Sequence, residues 1–240
     1  MISYVTKLLG REDIAQGTTA FRFARPSGFD FKPGQAVNLV IETLAGKKTT
    51  NFQHAFSLVS APFEPELVVA TRMRDSAYKN ALNSLQNGAE VRIDGPFGAL
   101  TLRSDASRPA IFLAGGIGIT PFVSILRQAA HDRLIRDFVL IYSNRRPEDA
   151  AYLDELQQIE REYAGLHLVA TMTQAAQSGH KWCGETGHIN AALLQRHIAD
   201  LAAPIYYLAG PPALVESMRD TLSELGVKDA DVVSEEFYGY

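Results

Sequence analysis

Two domains in series are predicted, an N-terminal antiparallel β-barrel followed by an α/β doubly wound parallel sheet. Three observations predict it. The first ~100 residues break into short strands separated by turn residues. Near Arg108-Pro109 the pattern changes to apolar runs alternating with helical stretches. At 240 residues, the length suits two compact domains better than one. The boundary is expected near residue 105, giving 1–105 and 106–240.

In the first half, Phe21 and Phe23 alternate with polar neighbours, as on a half-buried strand. Pro33-Gly34 opens the strand run Ala36-Val37-Asn38-Leu39-Val40-Ile41, and Ala45-Gly46-Lys47-Lys48 is a turn. Leu67 to Ala70 is a further strand. One short helix interrupts, its apolar face made by Ala77, Ala81, Leu82 and Leu85, and Asn87-Gly88 ends it. Several short strands at regular spacing indicate a small barrel.

In the second half, Ile111-Phe112-Leu113-Ala114 is the continuous apolar run of a buried parallel strand. A helix follows from Pro121 to about Ala130. The strand Phe138 to Tyr142 leads to a helix expected from about Pro147 to Tyr163. Strands at Leu166–Thr171 and Ile205–Leu208, with helices near Ile189–Ala199 and Ala213–Leu225, complete the alternation. The uncharged stretch Ala110 to Leu126 is interrupted by Gly115, Gly116, Gly118 and Pro121, so it reads as strand, turn and helix start rather than a membrane span.

Composition narrows the function. A formal charge of -4 without a basic stripe argues against nucleic-acid binding. The single cysteine, Cys183, rules out an internal disulfide and a Cys-ligated iron–sulfur cluster, and suits a reducing, cytoplasmic setting. The N-terminal residues lack a secretion signal. The six His residues are scattered without metal-ligand spacing, so no metal site is expected.

Gly115-Gly116-Ile117-Gly118-Ile119-Thr120-Pro121 joins a strand to a helix. Its glycines permit close approach of backbone to a ligand, Thr120 can cap the helix, and Pro121 suits the first helical position. Free N–H groups there can receive a pyrophosphate, although the same turn also serves as a plain strand–helix connection. A second turn, Ala209-Gly210-Pro211-Pro212, lies between the next strand and helix of the same type. At the carboxyl edge of a parallel sheet, two such turns can flank one crevice.

These turns, with His54-Ala55-Phe56-Ser57, Gly95-Pro96-Phe97-Gly98 and Glu235-Glu236-Phe237, resemble in their order the ferredoxin–NADP reductase superfamily of flavin oxidoreductases. The resemblance covers nearly the whole chain. It implies a flavin-binding barrel before an NAD(P)-binding domain, with FAD expected over FMN. It implies hydride transfer from NADPH or NADH to the flavin, then electron delivery to a separate ferredoxin, flavodoxin, other redox protein or small molecule. A non-catalytic electron-relay subunit and a degenerate, cofactor-free interaction protein are the alternatives.

The resemblance also implies site residues. Phe56 would pack beside the isoalloxazine and Ser57 would bond the flavin. His54 stands where the family has arginine and offers fewer donors to a phosphate; it reads either as a ligand or as a half-buried strand residue. Arg72, Arg74 and Lys79 are candidates for the flavin pyrophosphate or are solvated charges, and Tyr78 is a flavin contact or a core aromatic. Thr120 is placed near the reacting ring atoms. Ala209 replaces the cysteine that many relatives carry before the Gly210-Pro211 pair. Phe237, with Tyr240 second, would cover the flavin face and yield to nicotinamide. Ser143, Asn144 and Arg145 form the coenzyme loop, where the absence of an acidic residue and the presence of Arg145 and Arg146 tilt the reading toward NADPH.

Overall fold

The computed structural model describes residues 1–45 and 48–238. The first half contains β1 (Ile2–Ala15), β2 (Thr18–Ala24), β3 (Ala36–Ala45), β4 (Lys48–Ser57), β5 (Glu66–Arg72), helix α1 (Ala77–Ser84) and β6 (Glu90–Phe97). They form a six-stranded antiparallel sheet in the order β4-β3-β6-β1-β2-β5. Leu58, just after β4, bridges to Val69 on β5, which brings the two outer strands together and closes the barrel. Inward-facing Phe21, Phe23, Leu39, Val69 and Ile93 fill it, as the alternation in the sequence predicts. The turn expected at 45–48 falls on Gly46 and Lys47, which lie outside the described residues.

The second half holds β7 (Ala110–Gly115), α2 (Thr120–His131), β8 (Phe138–Asn144), α3 (Leu153–Glu162), β9 (Leu166–Met172), β10 (Glu185–Thr186), α4 (Ala191–His197), β11 (Ile205–Gly210), α5 (Pro212–Glu224) and β12 (Val232–Glu236). Their sheet order is β10-β9-β8-β7-β11-β12, with every pairing parallel. The chain steps outward from β7 to β10 and then returns to the other side of β7. That reversal makes a topological switch point between β7 and β11, the place where open α/β sheets bind ligands. β7 and β11 are buried along their whole lengths, which explains their unbroken apolar runs. On one face Phe112 stacks on Phe122 with ring centroids 4.7 Å apart; the other face packs Val215, Met218 and Leu194 from α5 and α4. No helix among the described residues is long and apolar enough to cross a membrane.

Two local expectations need correction. The helix expected from Pro147 to Tyr163 is a 3-10 turn, Pro147–Asp149, followed by a break before α3. Arg146 bonds Asp149 at 2.9 Å and the Glu148 carbonyl accepts from Gln16 N–H at 2.8 Å, tying the turn to the barrel. Tyr152 then adopts φ 61 to redirect the chain. Thr120 does not cap α2: a 3-10 turn over Gly116–Ile119 precedes the helix, and the Thr120 hydroxyl donates to Ile117 O at 3.1 Å. Glu235 and Glu236 close β12, a strand to which the sequence reading assigned no secondary structure.

The halves meet through a buried contact. Ser124 on α2 donates to the carbonyl of Ser60 at 2.7 Å, wholly inside the protein. Beside it Arg127 pairs with Glu155 of α3 at 2.6 Å and with Glu64 from the barrel side at 3.3 Å.

Candidate functional site

The two glycine turns meet as neighbours at the switch point. A Cβ on Gly118 would lie 2.3 Å from the carbonyl oxygen of Ala209 and 2.6 Å from Gly210 Cα. A side chain therefore cannot be accommodated without separating the turns. This revises the reading of Gly118, which faces the second turn instead of the cleft. Gly116, at φ 54, has nothing within 4 Å of where its Cβ would stand, so its backbone is open to a ligand. That is a conformation in which glycine is favoured.

In front of these turns lies a cleft of about 570 Å³. Arg72 and Arg74 enter from the barrel; Gly115, Gly116, Ser143, Asn144, Arg145 and Pro211 enter from the sheet. Asn144 is buried at the cleft wall, beside the Tyr142 hydroxyl. Arg145 is exposed, and among the described residues no carboxylate pairs with it. Arg146 is different: Asp149 and Glu148 hold it, so it is not available to a phosphate. Arg72 also spends part of its charge, on Asp149 at 3.5 Å.

A smaller groove of about 130 Å³ adjoins the cleft, walled by His54, Phe56 and Ser57 from β4 and by Glu235 and Phe237 from the tail. Ser57 Oγ is buried and, among the described residues, has no hydrogen-bond partner. An unpaired buried hydroxyl costs roughly 1–3 kcal/mol, so a polar ligand atom in this groove would recover a real penalty. A flavin fits that requirement. Thr71 Oγ1, near the end of β5, is a second unpartnered buried hydroxyl.

The other barrel candidates divide. Phe56 is 3% exposed and belongs to the barrel core, so it presents little free face. His54 meets it edge-on at 4.9 Å and lies tilted 5.4 Å from Tyr78. Burial, then the neighbouring Lys79, hold the His54 imidazole below the ordinary histidine value. It is therefore neutral near pH 7 and supplies a single N–H. The Tyr78 hydroxyl donates to Leu39 O at 3.1 Å, which fixes the ring against the barrel. Lys79 is not a surface charge. It is 4% exposed, its ammonium donates to Arg72 O at 2.6 Å, and burial with Arg74 nearby brings its pKa down to about 8.

Ala209 and Thr120 are buried, at 0% and 2% exposure. Thr120 thus stabilises the first turn from within. Phe237 walls both the cleft and the groove, and its N–H donates to Gly210 O at 2.8 Å. Tyr240 lies outside the described residues. Sequence reasoning missed Thr173, His188, Ser217 and Met218, which complete the cleft wall, and the burial of Glu235, which raises its carboxyl pKa. The first four lie on loops and a helix face with no pattern to mark them.

Residues 112–220 match the model of the oxidoreductase NAD-binding domain. A solved ferredoxin NADP+ reductase from Neisseria gonorrhoeae, with bound FAD and NADP, superposes with a TM-score of 0.81 at 22% identity, covering 98% of each chain. The glycine betaine monooxygenase reductase subunit of Chromohalobacter salexigens is 27% identical over 92% of this chain, which spans 60% of that protein's length. Ferredoxin–NADP reductase B of Sorangium cellulosum is 31% identical, over 87% of this chain and 86% of its own. Identity of that order along most of both sequences means that this chain belongs to the ferredoxin–NADP reductase superfamily of flavin oxidoreductases.

Proposed function

We propose that the chain is an NAD(P)H-dependent flavin oxidoreductase that binds FAD between β4 and the tail and NADPH or NADH in the adjoining cleft. The observation that carries this reading is the position of Phe237, which forms a wall common to both cavities. A ligand ring in one must pass this residue to stack on a ring in the other. Bound flavin supplies the chemistry, accepting hydride from nicotinamide and releasing electrons onward.

The protein's own residues bind and orient. The Ser57 hydroxyl gives the flavin ring a donor, and Arg74, with the remaining capacity of Arg72, lines the adjoining cleft, where it would meet a phosphate that reaches there. The open backbone at Gly116 receives the coenzyme pyrophosphate. Thr120 positions the turn from beneath, and Phe237 excludes water until nicotinamide displaces it. In this scheme residues 1–105 serve the flavin and 106–240 the coenzyme. Arg145, exposed at the cleft edge, favours the 2′-phosphate of NADPH.

The acceptor is a separate redox protein of the ferredoxin or flavodoxin kind, or a small molecule. The likeness to an oxygenase reductase subunit supports a second setting, in which the chain feeds electrons to an oxygenase through such a carrier. The lone exposed Cys183 supports a cytoplasmic location. Anaerobic stopped-flow mixing of the FAD-loaded protein with NADPH and with NADH tests the proposal. Rapid bleaching of flavin absorbance is the expected result. A protein that retains no FAD or FMN, or whose flavin stays oxidised with both coenzymes, would be a degenerate relative instead.

A further inference from the structure

Sequence spacing marks no metal ligands among the histidines, yet the fold brings two of them together at the open edge of the parallel sheet. His167 on β9 and His197 at the end of α4 are 30 residues apart in the chain, with His167 Nε2 and His197 Nδ1 separated by 3.2 Å. Each ring's other nitrogen faces a carboxylate. His167 Nδ1 lies 3.6 Å from Glu160 Oε1, and His197 Nε2 lies 3.4 Å from Glu185 Oε1. Both acids are themselves fixed: Glu160 Oε1 accepts the Leu168 N–H at 2.7 Å, and Glu185 Oε2 accepts from Arg196 at 2.7 Å.

Counting protons shows what this arrangement lacks. A neutral imidazole carries one N–H, and a facing carboxylate draws it to the nitrogen on its own side. With both N–H groups so directed, His167 Nε2 and His197 Nδ1 turn lone pairs toward each other across 3.2 Å. A proton shared between the two nitrogens relieves that repulsion, and so does a metal ion bound by both. A carboxylate behind each imidazole is also the arrangement that orients histidine metal ligands and raises their basicity. Nitrogens 3.2 Å apart, each at about 2.0–2.1 Å from a zinc ion, would subtend an angle of roughly 100°, close to tetrahedral.

The geometry points to a binding site for one borderline divalent metal ion, of the zinc, copper or nickel class, held by His167 and His197. Imidazole nitrogen selects those ions over magnesium and calcium. Among the described residues no group of three or more His, Cys, Asp or Glu forms a metal cage, so water completes the coordination. The side chains are 53% and 22% exposed, which leaves an entry path. A bound ion ties α4 to β9, and His188 and Ile189, just before α4, wall the coenzyme cleft. The site is independent of the flavin and nicotinamide assignments.

Calorimetric titration of the untagged, EDTA-treated 240-residue chain with zinc chloride at pH 7.5 tests it. One ion per chain is expected, with His167→Ala and His197→Ala each weakening binding at least tenfold. The double variant should bind no more weakly than the weaker single variant, because the two rings serve one ion. His180→Ala should bind as the unmodified protein does, and magnesium chloride should give no binding. Absence of stoichiometric zinc binding, or equal binding by both single variants and the unmodified chain, would overturn the site. Should a variant fold poorly, zinc-induced ¹⁵N shifts in the unmodified chain decide the matter: at His167 Nε2 and His197 Nδ1 they support the site, and confined to other histidines they refute it.

Discussion

The two halves of the molecule prepare for their ligands by different means. At the switch point of the parallel sheet the preparation is in the backbone: Gly118 packs against Ala209 and Gly210, and Gly116 leaves its main chain open. In the barrel it is in the side chains, where Ser57 Oγ and Thr71 Oγ1 are buried without partners and His54 and Tyr78 pack around Phe56. A backbone site is set once the turns close. A site of unsatisfied hydroxyls gains its full stability only when a ligand supplies the missing bonds.

Substituting Gly118 should separate the two halves most sharply. Gly118→Val places methyl groups where even a Cβ would meet Ala209 O at 2.3 Å. We expect a loss of about 3 kcal/mol in stability from overpacking, read as a lower melting temperature. Flavin reduction by NADPH should slow by roughly 100-fold, about 2.7 kcal/mol on the barrier, while flavin stays bound. Reduction at the parent rate in a folded variant would show that the turns tolerate separation, and the backbone half of the contrast would fail.

Next in size is the joint between the halves. Arg127→Ala leaves Glu64 and Glu155 without their shared cation. We expect a loss of about 2–3 kcal/mol, toward the low end for a partly buried pair because some solvent screening remains. Calorimetry should then resolve two unfolding transitions in place of one, separating the barrel from the sheet.

Arg145→Leu should raise the KM for NADPH about tenfold, about 1.4 kcal/mol, with little change for NADH. Equal effects on both coenzymes would remove Arg145 from 2′-phosphate recognition. Ser57→Ala sharpens the barrel side of the contrast. Flavin affinity should fall by roughly fivefold to tenfold, about 1 kcal/mol, whereas the flavin-free protein should be as stable as its parent or slightly more so. A destabilised flavin-free variant would mean that the hydroxyl already has a partner.

The smallest expected effect concerns Lys79, whose pKa is lowered to about 8 by burial and by Arg74. The unfolded chain binds the extra proton between about pH 8 and the ordinary lysine value near 10.5. Stability of the flavin-free protein therefore gains a contribution as pH rises through that window. Lys79→Met should flatten this rise in a melting series, and an unchanged slope would assign the dependence to another group.

Much of this was legible from residues alone because it is locally encoded. The alternation at Phe21 and Phe23 and the unbroken run Ile111–Ala114 each report what the strand faces on its two sides. The glycine turns were legible because few other residues permit such backbone. What escaped depends on partners distant in sequence. The break at Tyr152 follows from bonds that Arg146 and Glu148 make, the latter to the barrel. The inward turn of Lys79 depends on the carbonyl of Arg72. β12 carries little signal beyond Val232 and Val233, since its strand character comes from pairing with β11. The wall residues Thr173 and His188 gather only when the sheet is assembled.

The joint at Arg127 and Ser124 also bears on how the coenzyme enters. Swinging the barrel away from the sheet would break the Ser124–Ser60 bond inside the protein and strip a guanidinium of its barrel-side acid. Phe237, whose N–H is held by Gly210 O at 2.8 Å, is the wall that the cleft and the groove share. In the proposed scheme a nicotinamide that passes this one ring leaves the joint between the halves intact.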